Sequence, residues 1–553
     1  MKIVGLYNWH DGGYAVLSDG QLVEHVEIER YTRLKESGGD SLAYFRDIYL
    51  KNNGLSMDDI DVWTSPFPDH NLAGGGSDTF DTHQFIDKAA INFYPHHLCH
   101  ASHAFYSSNF RNAVIVTLDS AGMDTCNRSV STAAYYGTDR KIIKIADQEN
   151  DAMSLGNLWG RFTRFVFKLS AGYPRGHQAG SVMAMAALGD PKKYFNEVFR
   201  AATTEFPYVK FTPAGYKRGV YVPPEDDVTH PYLQKFREIA ESSEQEKFDI
   251  AAALQSVTEN IVCQVVDQAL KNAEERGISC RNVCFAGGVS LNSVAMGKIL
   301  SVFGDRIDGI FMPPVPYDAG LSIGACQYHW HHILEQSRVY GGFVSPYLGE
   351  EYTKQAVLDA IAKRDGLVIK EAHTVEACVA DLCDNKIVSI FQGRSESGRR
   401  ALGNRSIVAD PRSPEMKKMI NDKVKHRQWY RPFAPSVLEE HCADWFEGSF
   451  PSPYMSFVFK FKTDKLGAVP AVEHFDGTAR VQSVNRDQNK VYYDLISHFY
   501  QQTGVPMLLN TSFNDREPIC ETPDDAICCF MGTDIDFLYF PEYKIRISKE
   551  ENV

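Results

Sequence analysis

The sequence predicts an α/β protein in two parts, a duplicated α/β unit over residues 1–345 and a second, smaller α/β domain over residues 350–553. Three observations carry this. A strand, an acidic glycine turn and a hairpin occur over Lys2–Glu29 and again over Ala113–Ala146; strand, glycine turn and helix then alternate; and the periodicity stops across Tyr340–Gly349, which holds three glycines and one proline. At a soft ~150 residues per domain, 553 residues also ask for more than one folded unit.

In the first copy, Lys2–Tyr7 is an apolar strand followed by the turn His10-Asp11-Gly12-Gly13 and a strand ending in Ser18. Asp19-Gly20 is the positive-φ pair of a two-residue hairpin, with Gln21–Glu29 as the return strand. In the second copy, Ala113–Leu118 is the strand, Asp119–Asp124 the turn, and Ser131–Tyr136 and Lys141–Ala146 the hairpin. Ile250, Leu254, Val257, Ile261 and Leu270 fall at helical spacing and predict one long amphipathic helix over Phe248–Arg276. Val283–Ala286 is a buried strand entering Gly287-Gly288, with a helix over Ser293–Phe303. A further strand, Gly309–Met312, precedes Asp318-Ala319-Gly320 and a helix with Gly324 and Ala325 on a close-packing face.

Composition narrows the class. The apolar and charged fractions, 44 % and 23 %, are those of ordinary globular proteins, and the net charge of −14 argues against broad capture of nucleic acid or anionic membrane. No run approaches the ~20 apolar residues of a membrane span, and no signal-peptide pattern precedes Lys2, so a cytoplasmic protein is expected. The 12 cysteines form no C-x-x-C pair and read as reduced, mostly buried thiols rather than a zinc ribbon or a disulfide frame.

His96 and His100 stand four apart after Pro95, so on a helix both imidazoles leave one face, as paired metal ligands do. A polar helix face with ordinary histidines is the alternative, since His97 and His103 crowd the same segment. Asp119 and Asp318, each at the carboxyl end of a predicted strand, favour the metal reading, because side chains converge there in α/β folds. Two imidazoles and two carboxylates suit Fe, Mn or Zn. Gly287-Gly288 either admits a phosphate to backbone N–H groups or closes a tight turn, and Asn292 adds an amide nearby. Arg394, Arg400, Arg405, Lys425, Arg427 and Arg431 occur among glycines and prolines without acidic partners at helical spacing, the pattern of a polyphosphate or acyl-phosphate pocket rather than a solvated face. The strand Val505–Leu509 ends in Asn510-Thr511-Ser512-Phe513-Asn514, which by itself reads as a capped turn.

Jointly these segments resemble the carbamoyltransferase family that includes the nodulation-factor, cephalosporin and aminoglycoside O-carbamoyltransferases. The matching motifs are His10-Asp11, Glu29-Arg30-Tyr31 with Arg33 and Lys35, HHLCH from His96, LDSAGMD from Leu118, GGVSLN from Gly287, DAGLSIGA from Asp318, the two arginine-rich segments, and LLNTSFN from Leu508. Two positions depart from the family: Ser181 stands where a lysine is common, and Arg399 where a proline is usual.

The resemblance implies a duplicated actin-like (ASKHA) N-terminal domain, similar to the universal tRNA threonylcarbamoyl-transfer ATPase-like protein, and a YrdC-like C-terminal domain. It implies that carbamoyl phosphate and ATP with Mg2+ form carbamoyl adenylate and pyrophosphate in the C-terminal domain. There Arg394, Lys425 and Arg431 would be catalytic, and Arg400, Arg405, Arg427, Asn510, Ser512 and Asn514 would bind phosphate or nucleotide. The adenylate would then move inside the protein to an N-terminal site holding Fe2+, or Mn2+ or Zn2+, on His96, His100, Asp119 and Asp318. Gly287, Gly288 and Asn292 would contact nucleotide there, and His10 would be the general base for an acceptor hydroxyl. A small-molecule acceptor is expected. A hydroxymethyl group on a nucleotide or nucleic-acid base is an equivalent acceptor ranked lower for the charge of −14, and a non-catalytic nucleotide-binding scaffold is disfavoured because both sites look complete. No membrane partner is expected, and no motif sets the oligomeric state, for which a homodimer is one option.

Overall fold

The apolar hexamer Lys2–Tyr7 becomes β1, the central strand of a five-stranded sheet in the computed structural model of the chain. The structure describes residues 1–67, 90–125, 128–149, 154–169, 178–202, 216–217, 220–221, 231–339 and 344–550. Two compact units divide it, Met1–Val344 and Ser345–Val553.

In the first unit, β2 (Gly13–Ser18) and β3 (Gln21–Glu27) add to β1 as an antiparallel meander. On the other side β4 (Val62–Phe67) and β5 (Ile91–Pro95) add in parallel. The helix α1 (His96–Tyr106) follows at once. The second sheet repeats the scheme. Its central strand β6 (Asn112–Thr125) pairs antiparallel with β7 (Arg128–Thr138), which pairs with β8 (Lys141–Glu149). The capped 32-residue helix α2 (Glu244–Glu275) leads to β9 (Asn282–Ala286), parallel to β6. After α3 (Ser293–Phe303), β10 (Gly309–Phe311) extends the parallel side, and α4 (Leu321–Tyr328) follows. The strand orders β3-β2-β1-β4-β5 and β8-β7-β6-β9-β10 are the same topology twice, so the repeated turns mark a duplicated fold. The equivalent helices α1 and α4 pack directly on each other. A Cβ on Gly324 would stand 1.9 Å from the Cys99 carbonyl oxygen, and only glycine admits this approach. That contact brings the start of α1 beside the residues preceding α4.

The second unit is a nine-stranded mixed sheet. Its strands in chain order are β11 (Leu367–Lys370), β12 (Val388–Phe391), β13 (Arg405–Ala409), β14 (Ala434–Leu438), β15 (Phe457–Lys460), β16 (Thr478–Val484), β17 (Met507–Ser512), β18 (Phe537–Phe540) and β19 (Ile545–Lys549). Across the sheet they run β11-β19-β18-β12-β13-β17-β14-β16-β15. Val388, Ile390, Val408, Leu438 and Leu508 form its core with Leu495, Ile496 and Phe499 of the helix Lys490–Thr503.

Several expectations are corrected. The return strand stops at Glu27, because its partner β2 begins at Gly13, and Glu29–Thr32 turns into a helical loop. Asp119 does not end a strand: β6 continues to Thr125, with a bulge between Leu118 and Gly122 that re-aims the side chains within it. Arg161, Arg164 and Lys168, which at helical spacing could form a basic stripe for a nucleic-acid acceptor, do not make a continuous one. The helix from Leu155 widens at Phe162–Val166 and Lys168 has φ +53°, leaving Lys168 paired with Glu241. Among the described residues no helix is long and apolar enough to cross a membrane.

His331 gives the fold a measurable acid response. It is fully buried, stacks on Tyr106 at 4.4 Å, and holds Nδ1 3.0 Å from the Gln336 carbonyl oxygen. Burial pulls its imidazole down to about 4. Between pH 6.5 and 4 the unfolded chain therefore binds a proton that the folded chain does not, so stability falls as pH falls. The denaturation midpoint should drop over that interval. His331→Gln should flatten the dependence by at most about 1.4 kcal/mol per pH unit, the limit for one proton; identical slopes in chemical denaturation would reject the assignment.

Candidate functional site

Both halves of the duplicated unit send side chains to one point. Helix α1 contributes His96 and His100, the β6 bulge contributes Asp119, and the single turn Asp318–Gly320 ahead of α4 contributes Asp318. The four donor atoms lie within 4.8 Å of one another, and all four residues are buried. His100 Nε2 is 2.9 Å from Asp119 Oδ2 and 3.3 Å from Asp318 Oδ1; His96 Nε2 is 3.4 and 3.6 Å from the same two oxygens. Both imidazoles thus aim the same nitrogen inward, with ring planes 76° apart. Burial disfavours a charged His100, but its hydrogen bonds to Asp119 and Asp318 outweigh this and raise it to about 9. Burial likewise opposes ionisation of Asp119, yet the hydrogen bonds from His100 and His96 hold it well below the ordinary carboxylate range. Two inward nitrogens and two carboxylate oxygens in a buried cluster fit a divalent first-row cation.

The other histidines of α1 have separate duties. His97 stands 2.8 Å from both Thr117 Oγ1 and the Val130 carbonyl oxygen, and burial pulls it down to about 4. His103 Nδ1 lies 3.1 Å from Ser107 Oγ, and burial pulls it down to about 3. The helix is buried along nearly its whole length, so it is no solvated polar face.

His10, in the turn after β1, edges this cluster: Nε2 is 3.6 Å from Asp318 Oδ2 and Nδ1 3.1 Å from Asp11 Oδ2. Burial lowers its pKa, but the hydrogen bond to Asp11 and the charge of Asp318 prevail and raise it to about 9. The near-neutral value expected of a base therefore requires the neighbouring carboxylate charge to be compensated. Tyr7, which the sequence reading passed over as a strand residue, donates its hydroxyl to Asp318 Oδ2 at 3.1 Å.

The glycine pair opens the short 3₁₀ helix Gly288–Leu291 rather than α3 itself. Gly287, with φ +92°, lies against the Leu118 carbonyl, where a Cβ would come within 2.2 Å. A short turn over Gly288–Leu291 then separates it from α3. Asn292 caps α3 by accepting from the Ala295 N–H at 3.1 Å, and its amide pairs with that of Gln255. Asn292 is thus engaged in capping and packing, while Gly288 stands beside Asp119, whose Oδ1 would be 3.3 Å from an added Cβ.

In the second unit the structure sorts the predicted cations into two kinds. Arg405 is fully buried, lies 3.6 Å over the Phe391 ring, and donates to the carbonyls of Gln392, Gly393 and Asn404. Arg394 donates to the carbonyls of Gly349 and Leu348, both at 2.7 Å. These two tie backbone together. Lys425 donates to the carbonyls of Ser512 and Asn514 and to Asn514 Oδ1 at 2.6–2.7 Å, so it joins Ser512 and Asn514 as one cluster. Asn510 donates to the Ala401 carbonyl, Ser436 Oγ and Gln482 Oε1 beneath the arginine-rich loop. That loop is organised by Glu396, whose Oε1 accepts from the N–H groups of Leu402, Asn404 and Arg405.

Three further arginines, Arg427, Arg431 and Arg480, lie close enough to repel one another. Among the described residues no carboxylate lies within 4 Å of Arg427, Arg431 or Arg480, although Arg427 donates to Asn421 Oδ1 at 2.7 Å. Burial pulls Arg427 well below the usual guanidinium range, and the charges of Arg431 and Arg480 add to it. Arg480 is lowered by burial, then by Arg400 and Arg431; Arg431 is lowered by burial. Arginine does not shed its proton in proteins, so the group is repulsive as it stands and an anion would offset it. Arg480, on β16, was absent from the sequence reading; a lone arginine in a polar-apolar strand carries no motif.

Comparison with known proteins is consistent across the chain. Residues 70–327 match the family model described as carbamoyltransferase N-terminus, and residues 379–546 that described as carbamoyltransferase C-terminus. The chain is 33 % identical to the nodulation protein NolNO of Sinorhizobium fredii, over 97 % of this chain and 79 % of that one. It is 33 % identical to nodulation protein NolO of Bradyrhizobium diazoefficiens, over 82 % of this chain and 78 % of that one. A crystal structure of full-length HypF in a phosphate- and nucleotide-bound form aligns at 14 % identity and TM-score 0.36, over 61 % of this chain and 56 % of that one, a likeness too loose to bear on function.

Proposed function

The chain belongs to the carbamoyltransferase family and is an enzyme of carbamoyl transfer; from that premise we propose that it works through carbamoyl adenylate, made in the second unit and consumed in the first. The observation that carries this reading is the segregation of chemistry: Arg427, Arg431 and Arg480, a mutually repelling group with no carboxylate within 4 Å among the described residues, lie in Ser345–Val553, and the histidine–aspartate cluster lies in Met1–Val344.

In the first half-reaction water releases phosphate from carbamoyl phosphate, and the resulting carbamate oxygen attacks the α-phosphorus of ATP, expelling pyrophosphate. Arg400, Arg427, Arg431 and Arg480 hold the phosphoryl oxygens and offset their charge, the main requirement of phosphoryl transfer. Lys425 fixes the Ser512–Asn514 segment at the edge of this pocket. Mg2+ accompanies the ATP.

In the second half-reaction an acceptor hydroxyl attacks the carbamoyl carbon, a C–O bond forms, and AMP leaves with the electron pair of the broken C–O bond. His96, His100, Asp119 and Asp318 would hold Fe2+, or Mn2+ or Zn2+, whose chemistry there is Lewis-acid polarisation of a carbonyl or phosphate oxygen. With the carboxylate charge compensated, the His10 imidazole returns toward its ordinary range and takes the hydroxyl proton. Tyr7 orients Asp318 through its hydroxyl. Because water hydrolyses a mixed anhydride, the adenylate passes between units without release. The acceptor is a small hydroxyl compound, a choice supported by the net charge of −14.

The test is mass spectrometry of an acceptor library incubated with protein, ATP and isotopically labelled carbamoyl phosphate, alongside exchange of labelled pyrophosphate into ATP. Exchange should require carbamoyl phosphate, and label should appear on a small hydroxyl compound with AMP as co-product. Transfer to hydroxymethylated DNA or RNA, weakening steeply with salt, would replace the acceptor; ADP in place of AMP would reject the adenylate.

A further inference from the structure

A second group of metal-type donors lies in the other unit, away from the histidine–aspartate cluster. Among the described residues, a carboxylate oxygen of Glu517 and the Sγ atoms of Cys520 and Cys529 come within 4.8 Å of one another. Both cysteines are buried and Glu517 is half-buried. All eleven described cysteines are thiols, and this is the one place among the described residues where two of them meet a third metal-type donor.

The surrounding structure holds these groups on two braced elements. Cys529 sits in the helix Pro523–Met531, whose start is locked by a reciprocal cap: Thr522 Oγ1 accepts from the Asp525 N–H at 3.1 Å, and Asp525 Oδ2 accepts from the Thr522 N–H at 2.9 Å. Cys520 precedes that cap, and its N–H donates to the Phe513 carbonyl at 2.9 Å. Glu517 is drawn into the same loop by Asn514, which donates its amide to the Glu517 carbonyl at 2.7 Å. Tetrahedral zinc at ~2.3 Å from sulfur needs its donors roughly 3.8 Å apart, so a spread within 4.8 Å closes by about an ångström of side-chain motion.

We propose that Glu517, Cys520 and Cys529 form a thiolate cation site that takes Zn2+, or a softer divalent ion such as Cd2+, and clasps the Asn514–Cys520 loop to the helix Pro523–Met531. Thiolate donors select such ions over Mg2+ and Ca2+. Each thiol gives up its proton on binding, so loading releases two protons and Cys520 loses its hydrogen bond to the Asp525 carbonyl. Two thiolates and a carboxylate carry three negative charges against two positive, and the fourth coordination position is left to water. The consequence reaches the phosphate pocket. Glu517 is bonded to Asn514, and Asn514 accepts from Lys425, so a cation here stiffens the loop that seats that lysine.

The experiment is a Cd2+ titration of the chelator-stripped, full-length protein, followed by the ultraviolet thiolate-to-cadmium charge-transfer band. The histidine–aspartate cluster has no sulfur and is silent in this band. One equivalent of Cd2+ per chain should produce it in the wild type and equally in His100→Ala and Cys528→Ser. It should vanish in Cys520→Ser and Cys529→Ser, and Glu517→Gln should retain it with affinity at least about tenfold weaker, as is usual for loss of a supporting donor. Absence of the band in the wild type, or its survival in both serine variants, overturns the proposal. Should the serine variants fail to fold by circular dichroism, the wild type still decides. Added Zn2+ should slow alkylation of Cys520 and Cys529 at least about tenfold while leaving the exposed Cys528 unchanged, read by peptide mass spectrometry; unchanged alkylation at both buried cysteines overturns it.

Discussion

Alanine at Arg431 or Arg480 is expected to cut carbamoyl-phosphate-dependent exchange of pyrophosphate into ATP by about 10²–10³-fold, the usual loss when one preorganised group facing transition-state charge is removed. The thermal midpoint should stay level or rise, because each substitution removes a charge from a cluster with no carboxylate partner at Arg427, Arg431 or Arg480. Arg405→Ala should do the opposite. Its guanidinium satisfies three buried backbone carbonyls, and stranding each costs about 1–3 kcal/mol, so the variant should unfold at a much lower temperature or accumulate as aggregate. Calorimetry and exchange assays on the same preparations check both halves. If Arg431→Ala keeps full exchange, or loses its fold as Arg405→Ala does, the assignment of the pocket fails.

His100→Ala should strip the first unit of its cation and abolish product while leaving pyrophosphate exchange largely intact. Removing one of four buried donors leaves His96 as the one imidazole that reaches both Asp119 and Asp318, and the 2.9 Å contact that orients Asp119 is lost with it. Elemental analysis should fall from near one iron, manganese or zinc per chain at this cluster, measured in the Cys520→Ser background so that the thiolate site does not contribute. Tyr7→Phe, which removes only the hydroxyl held at 3.1 Å from Asp318, should weaken metal retention or transfer by about 10–100-fold, the range for outer partners of a ligand. If His100→Ala also eliminates exchange in a protein still folded by circular dichroism, the two half-reactions are not separate as proposed.

What depends on near neighbours along the chain was legible without the fold. Asp19-Gly20 announced the first hairpin because positive φ is a local demand, and apolar strands around repeated turns were enough to show a duplication, which the two identical strand orders display. His96 and His100 were legible as a pair because four residues is a property of one helix. Their partners were legible only as candidates. Asp119 reaches them from a bulge within a long strand, and Asp318 because Gly324 lets α4 press against α1 at Cys99. Only in the folded chain do the arginines separate into those that hold backbone carbonyls and those that face other arginines. Arg405, in a glycine-containing segment, and Arg431, beside a proline, look alike in lacking acidic partners at helical spacing, and what distinguishes them is burial among carbonyls in one case and other arginines in the other. The fold also brought Arg480 into that group, and Glu517 and Cys520 to Cys529. Charge compensation and ligand convergence are sums over neighbours distant in the chain, so no local pattern of residues records them.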